Sequence, residues 1–386
     1  MYAGKDPVTG KHAYLSRTLH GSERKADREL SRLVAEVDEH GLSSTSASVA
    51  YLLGRFMALQ RREQKAPTTL RTYQHYIDAW IVPAIGTAKL DRLTAGDLRD
   101  LYASMSAQGR SQRTIRQVRA IISSALSYAT EQGWVRTNVG RASRAPKLPG
   151  SRQRVPTVTE LHQLLEATAS QHHAGPELAA AVILAASSGA RLGELCALRW
   201  GDVVFEGERS SVLHIRQSAY VVPRERAATK ATKTHQERRI VLDPWGTAAL
   251  LMQRAHQERN AARVGRQITD ASYVLSRKTD GSGPPRPDGY SAAFGRLRDK
   301  LAGWDPTTQT AREPRWRELH FHSLRHLAAT TLIAEGVDVR TAASRLGHSD
   351  PSTTLRVYAH AVERNERAAA AILGSALALP PAREER

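Results

Sequence analysis

Between residues 144 and 154 the chain reads Arg-Ala-Pro-Lys-Leu-Pro-Gly-Ser-Arg-Gln-Arg, and no other stretch so limits what it can fold into. Two prolines, a glycine and four basic side chains leave no helical or strand period to bury. The segment therefore reads as an exposed linker, and the residues on either side must build separate cores. A length of 386 residues agrees, being too long for one ordinary core.

On the N-terminal side, Asp6-Pro7-Val8-Thr9-Gly10 signals a turn and His12 to Leu19 alternates like a strand. Ser22 to His40 carries Ala26, Leu30, Leu33, Val34 and Val37 at helical spacing, closed by Gly41. One strand and one helix bury little surface, so residues 1–42 read as a partial unit. A Ser/Thr-rich connection, Ser43 to Ser48, leads into residues 46–143, where every strong signal is helical. A small domain of four or five helices is expected there, four of them with clear signals. The first carries Val49 to Leu59; the second carries Leu70 to Trp80 and stops before Pro83; the third opens on Thr94 and Asp97; the fourth starts at Ser111.

Beyond the linker the pattern is mixed. Helical periods fall at 157–168, 176–189, 192–198, 246–264, 290–301, 323–335 and 338–346, with strand signals at 202–205, 211–217 and 238–242. Trp304 to Arg317 reads as a polar surface loop, and 373–386 as a tail. The expected architecture is mixed but mainly α with a small β-sheet: a helical domain at 46–143 and an α+β domain at 155–372.

Lys and Arg number 56 against 38 Asp and Glu, a formal charge of +18, which attracts polyanions and in the first instance nucleic acid. From Arg110 to Lys147 there are eight basic residues and one acid, Glu131. Arg113, Arg116 and Arg119 recur every third residue and are expected to share a phosphate-contacting face, with Lys147 following in the linker. The single cysteine, Cys196, lies in the apolar run Leu195-Cys196-Ala197-Leu198 and reads as a buried small hydrophobe. No apolar run reaches the roughly 18 residues of a membrane span, so a cytoplasmic protein with no membrane partner is expected.

Four clusters carry chemistry. In Ser187-Ser188-Gly189-Ala190-Arg191 the small residues admit a phosphate to the backbone beside Arg191, and Glu194 stands three residues on, where it can hold the guanidinium. A surface ion pair has the same spacing. Lys233 sits in a charged run before the strand signal at 238–242, with Lys230 as a competitor. His322 and Arg325 have i,i+3 spacing; with His320 and His326 nearby, a metal site is the alternative, although no carboxylate or thiol adjoins it. Last, His348 precedes Asp350-Pro351, an N-cap and first-turn proline, and Tyr358 lies about two turns into the helix they open.

Taken together, Arg191, Lys233, His322-x-x-Arg325, His348 and Tyr358 stand in the order and approximate spacing of the tyrosine recombinase, or phage integrase, family. The resemblance spans roughly 46–367, a helical core-binding domain of SAM-like type followed by a catalytic domain; residues 1–40 resemble the second part of the arm-type DNA-binding domain of actinobacterial phage and integrative-element integrases. It implies a site-specific recombinase that cuts and rejoins DNA for integration or excision of a mobile element, in a bacterial cytoplasm. Arg191 and Arg325 would stabilise the pentavalent phosphate and Lys233 would protonate the leaving 5′ oxygen. His322 would act in proton transfer, His348 would hydrogen-bond the phosphate, and Tyr358 would form a 3′-phosphotyrosine. No cofactor and no metal are implied. The implied partners are double-stranded attachment-site DNA, clamped in a C shape, three further copies of the chain in a homotetramer, and an accessory directionality factor. A type IB topoisomerase would use the same chemistry, and an inactive DNA-binding protein would keep only the clamp.

Overall fold

A computed structural model describes residues 2–6, 8, 10, 12–14, 18, 20–40, 47–143, 154–169, 175–221, 227–231 and 237–347. The chain divides into two compact units, Met1–Ser151 and Arg152–Arg386, so the break falls within the expected linker.

In the first unit, strands β1 (Tyr2–Lys5) and β2 (His12–Tyr14) form an antiparallel hairpin, followed by helix α1 (Glu23–His40). The sequence pattern predicts only one strand here, because four residues, Tyr2 to Lys5, are too few to display a period of two. Helix α2 (Val49–Arg62) starts where the Ser48 hydroxyl accepts from the Tyr51 amide at 3.2 Å. Helix α3 (Pro67–Tyr76) does not stop before Pro83 as expected. It widens into a π-turn over Ile77–Ile81, closed by the Val82 amide donating to the Ile77 carbonyl, and runs on as α4 (Val82–Ile85). Pro83 then stands in the first turn of α4, directly after the π-turn, where the widened backbone accommodates a residue that has no N–H to donate. Thr94 and Asp97 form the predicted reciprocal cap of α5 (Ala95–Ala107), and Ser111 caps α6 (Gln112–Glu131). A last short turn, α7 (Val139–Ala142), follows. Leu52, Leu53, Ile81, Leu98, Met105, Ile115, Ile121 and Leu126 are all below 2 % exposed and form the core of these helices.

The second unit is built around α9 (Gly175–Ser188), which packs against α8 (Val158–Ala169) before it, and against α11 (Pro244–Ala262) and α13 (His322–Ala334) after it. Its run Leu178 to Ala185 is apolar on all sides and, apart from half-buried Ala179, buried, as a central helix requires. After α10 (Leu192–Ala197), strands β3 (Val203–Phe205), β4 (Ser211–Ile215) and β7 (Arg238–Leu242) make an antiparallel sheet in the order β3-β4-β7. The strand predicted over 211–217 is broken at Arg216, which pairs with Asp202 at 2.7 Å. The chain resumes as β5 (Gln217–Tyr220), paired with β6 (Ala228–Ala231) in a separate hairpin.

Helix α12 (Pro287–Leu301) contributes Tyr290 and Phe294 to the core. Trp304 to Arg317, expected as a surface loop, holds two short strands, β8 (Trp304–Asp305) and β9 (Thr310–Ala311), and a 3₁₀ turn at Pro314–Glu318. Trp316 is 2 % exposed and anchors that turn in the core, which overrides the polar composition around it. Helix α14 (Val339–Leu346) ends the described chain at Gly347. Cys196 is buried as expected, and burial pushes its thiol pKa up. Among the described residues, no helix is long and apolar enough to cross a membrane.

Candidate active site

Helix α9 ends at Gly189, whose φ of +67° belongs to the left-handed region. A Cβ on Gly189 would lie 2.6 Å from Leu346 Cδ2 and 3.4 Å from Ala328 Cβ, so glycine lets α13 and α14 close on this turn. The Gly189 carbonyl accepts from Arg325 Nη1 at 2.8 Å. Arg325 is 2 % exposed while His322, one turn earlier on α13, is exposed. The i,i+3 pair therefore does not form one surface patch: Arg325 points into the protein towards the Gly189 turn.

Arg191 occupies the N-cap position of α10, two residues after Gly189. Glu194 holds it as predicted: Oε2 accepts from the Arg191 amide at 2.7 Å and Oε1 from Arg191 Nη1 at 2.9 Å. The carboxylate also takes a two-pronged grip from a residue not anticipated from sequence, with Arg238 Nη1 at 3.1 Å from Oε1 and Nη2 at 2.6 Å from Oε2. Burial tends to raise the Glu194 pKa. The hydrogen bonds and charge of Arg238, then those of Arg191, outweigh it and hold the carboxyl below its usual range. Arg191 remains the accessible member, 38 % exposed in its side chain against 11 % for Arg238 and 2 % for Glu194.

The end of α14 joins this cluster. Gly347, at φ +68°, accepts from Arg191 Nη2 at 2.9 Å, and the Arg345 carbonyl accepts from Arg238 Nε at 3.1 Å. Arg345 in turn donates through Nη2 to the carbonyls of Ser187 and Val241, both at 2.9 Å. Three arginines thus tie the last turn of α14 to α9, α10 and β7. Apart from Val241 on β7, their target carbonyls lie at the ends of α9 and α14, where a helix leaves carbonyls without intrahelical partners.

Of the histidines, His322 and His326 stack edge to face with ring centroids 4.9 Å apart, and His320 is exposed. Burial, then the charge of Arg325, lowers the His326 pKa, which favours a neutral ring. Lys230 lies on β6 with its ammonium 5.1 Å from the centre of the Tyr220 ring. Lys147, Lys233, His348 and Tyr358 lie outside the described residues, as does the tail at 373–386. The arginines of α6 do not share one face. Each three-residue step turns by about 300°, so the positions drift round the helix. Arg113 and Arg116 are exposed, whereas Arg119 turns in, donating from Nε to the Ser143 carbonyl at 2.7 Å and from Nη2 to that of Arg141 at 3.3 Å.

Arg238 had a legible signal. It shares the strand face of Ile240 and Leu242, both buried, and an arginine in that register demands a carboxylate. Arg345 and the Gly347 turn gave none, and at Gly189, singled out as small, the close approach of Leu346 was not readable, since these partners lie on distant segments.

Residues 155–364 match the Phage integrase family. Among curated proteins, a tyrosine recombinase XerC-like protein of Caldanaerobacter subterraneus subsp. tengcongensis is 24% identical over 321 residues, covering 79% of this chain and 77% of that protein. An integrase of Streptomyces ambofaciens is 25% identical, covering 98% and 93%. Among solved structures, the Tn1549 transposon integrase in complex with transposon right end DNA aligns with a TM-score of 0.69 at 19% identity, over 85% of this chain and 99% of that one. A lambda integrase tetramer bound to a Holliday junction aligns with a TM-score of 0.55 at 21% identity, over 91% and 90%. With more than half of its length matched by the family, and an arginine-rich site on the fold of these enzymes, the chain belongs to the phage integrase family and is a tyrosine-type site-specific DNA recombinase.

Proposed function

We propose that this recombinase integrates or excises a mobile element through a 3′-phosphotyrosine at Tyr358. The observation that carries the reading is the convergence of Arg191 and Arg325 on one turn. Arg325 is bonded to Gly189, Arg191 stands two residues later, and Arg191 is also bonded to Gly347, the residue before His348. Phosphoryl transfer needs preorganised positive charge at the non-bridging oxygens and a correctly placed nucleophile, and little else. In this reading the two guanidiniums neutralise the phosphorane, assisted by His322 and His348. The Tyr358 hydroxyl passes its proton to His322 and its oxygen bonds to phosphorus, while the P–O5′ bond breaks and Lys233 delivers a proton to the departing oxygen. A 5′ hydroxyl from another strand then reverses these steps and releases the tyrosine. The phosphodiester energy is kept throughout, so no nucleotide cofactor is required.

The mobile-element assignment draws on the Streptomyces ambofaciens integrase and the Tn1549 transposon integrase. The partners in this reading are attachment-site duplex DNA, supported by the Tn1549 transposon integrase solved with transposon right end DNA, and four protomers by analogy with the lambda integrase tetramer on its Holliday junction. An accessory factor would set direction. Residues 46–143 would be the core-binding domain, with Arg113, Arg116 and Lys147 against phosphates and Arg119 bracing the fold. Residues 155–372 would be the catalytic domain.

The test is a nicked suicide duplex carrying the DNA that flanks the protein's own gene. Wild type should become covalently attached. Tyr358→Phe should not, yet should retain DNA affinity, because one hydroxyl adds little to many phosphate contacts. Covalent product from the Phe variant would refute Tyr358 as nucleophile.

A further inference from the structure

Arg238 belongs to none of the motifs that mark the reaction, yet it makes the shortest contact of the site, 2.6 Å from Nη2 to Glu194 Oε2. We propose that Arg238 is a positioning residue that neutralises Glu194, leaving Arg191 both oriented and net positive for the scissile phosphate. The inference rests on the reading of Arg191 as part of the phosphate clamp.

Charge accounting within the cluster leads there. One carboxylate, 2 % exposed, faces two guanidiniums. Each of its oxygens receives one donor from Arg191 and one from Arg238. Were Glu194 paired with Arg191 alone, it would hold the guanidinium in place and cancel its charge at the same time. That arrangement would position a clamp with little attraction for an anion. The two-pronged hydrogen bonding of Arg238 offsets the carboxylate from the buried side. The cluster then carries one net positive charge, and the exposed member able to present it is Arg191, at 38 % against 11 %. The remaining nitrogen of Arg238, Nε, is fixed by the Arg345 carbonyl at 3.1 Å. Space around the guanidinium is equally restricted: a Cβ on Gly347 would lie 2.8 Å from Arg238 Nη1. Nothing places Arg238 against DNA; its effect must pass through Glu194 and Arg191.

A charge-balancing role and a purely structural one part company in a double-mutant cycle. Arg238→Gln should slow single-turnover cleavage of the nicked suicide duplex on the order of 10², as losing one preorganised charge does. Adding Glu194→Gln should then restore cleavage by about tenfold or more, because the amide no longer cancels Arg191. Arg238→Lys, which keeps the charge but loses the fork, should stay much closer to wild type than Arg238→Gln. An anchor for α14 predicts the opposite: Lys and Gln equally impaired, and the second substitution neutral or harmful. If Arg238→Gln does not fold, the Lys variant and the double variant, an amide facing an amide, still decide. Equilibrium binding to the same duplex gives a readout free of chemistry, with the salt slope of Arg238→Gln reduced by about one and recovered in the double variant. Absence of covalent product from wild type would count against the nucleophile reading alone, since binding would still report on Arg238. Absence of rescue in both cleavage and binding would overturn the proposal.

Discussion

At the scale of single residues, the site is a set of donors aimed at carbonyls and one carboxylate. Arg191→Ala and Arg325→Ala are each expected to slow covalent attachment on the order of 10² or more, and Lys at either position should recover little, because a point charge does not bridge two phosphate oxygens. Near-normal single-turnover cleavage by either Ala variant would remove that arginine from the clamp. His326 gives a pH signature. Its folded pKa is depressed below 6.5 by burial, then by Arg325, so the folded state prefers the neutral ring. Its contribution is complete above the unfolded value and is lost as pH falls below about 6.5 towards the folded one. Thermal melts should show wild type losing more stability from pH 7 to pH 5 than His326→Gln; parallel profiles would refute this. The pair Arg191 and Glu194 was readable from sequence because its spacing is local. Arg238 lies 44 residues from Glu194, and only its strand register hinted at a buried partner.

Among the elements, the contact between α10 and β5 would link two parts of the proposed chemistry. A Cβ on Gly193 would meet Ser218 Oγ at 2.6 Å and the Ala219 carbonyl at 2.8 Å, so the helix bearing Arg191 rests directly on the hairpin backbone. That hairpin leads to Lys233. Gly193→Ala should therefore impair cleavage of an ordinary phosphodiester more than that of a substrate whose leaving 5′ oxygen is sulfur, since a thiolate departs without a proton. Equal losses on both substrates would show that the hairpin does not convey the lysine. Most helix positions in both units, and the caps of α5 and α6, were legible because apolar periods and local cap chemistry fix them. The π-turn at Ile77–Ile81, the break at Arg216 and the buried Trp316 were not, because each follows from tertiary contacts that local composition does not encode.

For the whole molecule, the division at the Pro/Gly-containing linker and the order of motifs were readable because both are one-dimensional features. The convergence of the motifs was not. Arg113→Ala with Arg116→Ala should weaken DNA binding and lower its salt slope by roughly one per lost phosphate contact, leaving cleavage at saturating DNA largely intact. An unchanged slope would remove α6 from the DNA interface. Cleavage is also expected to persist in excess EDTA, since the guanidiniums and Lys233 would supply the charge a metal provides elsewhere; activity restored by one specific ion would reverse that expectation. The clamp also has a place in time. The bond from Arg191 to Gly347 spans 156 residues, and that from Arg325 to Gly189 spans 136. At roughly 5–20 residues per second, a ribosome needs on the order of 10 s to make the later partner available to the earlier one. The helical unit is complete before any part of the clamp can close, and a chain that stops short of Gly347 has Arg191 without its carbonyl anchor. The proposed clamp can therefore close only after Gly347 has left the ribosome.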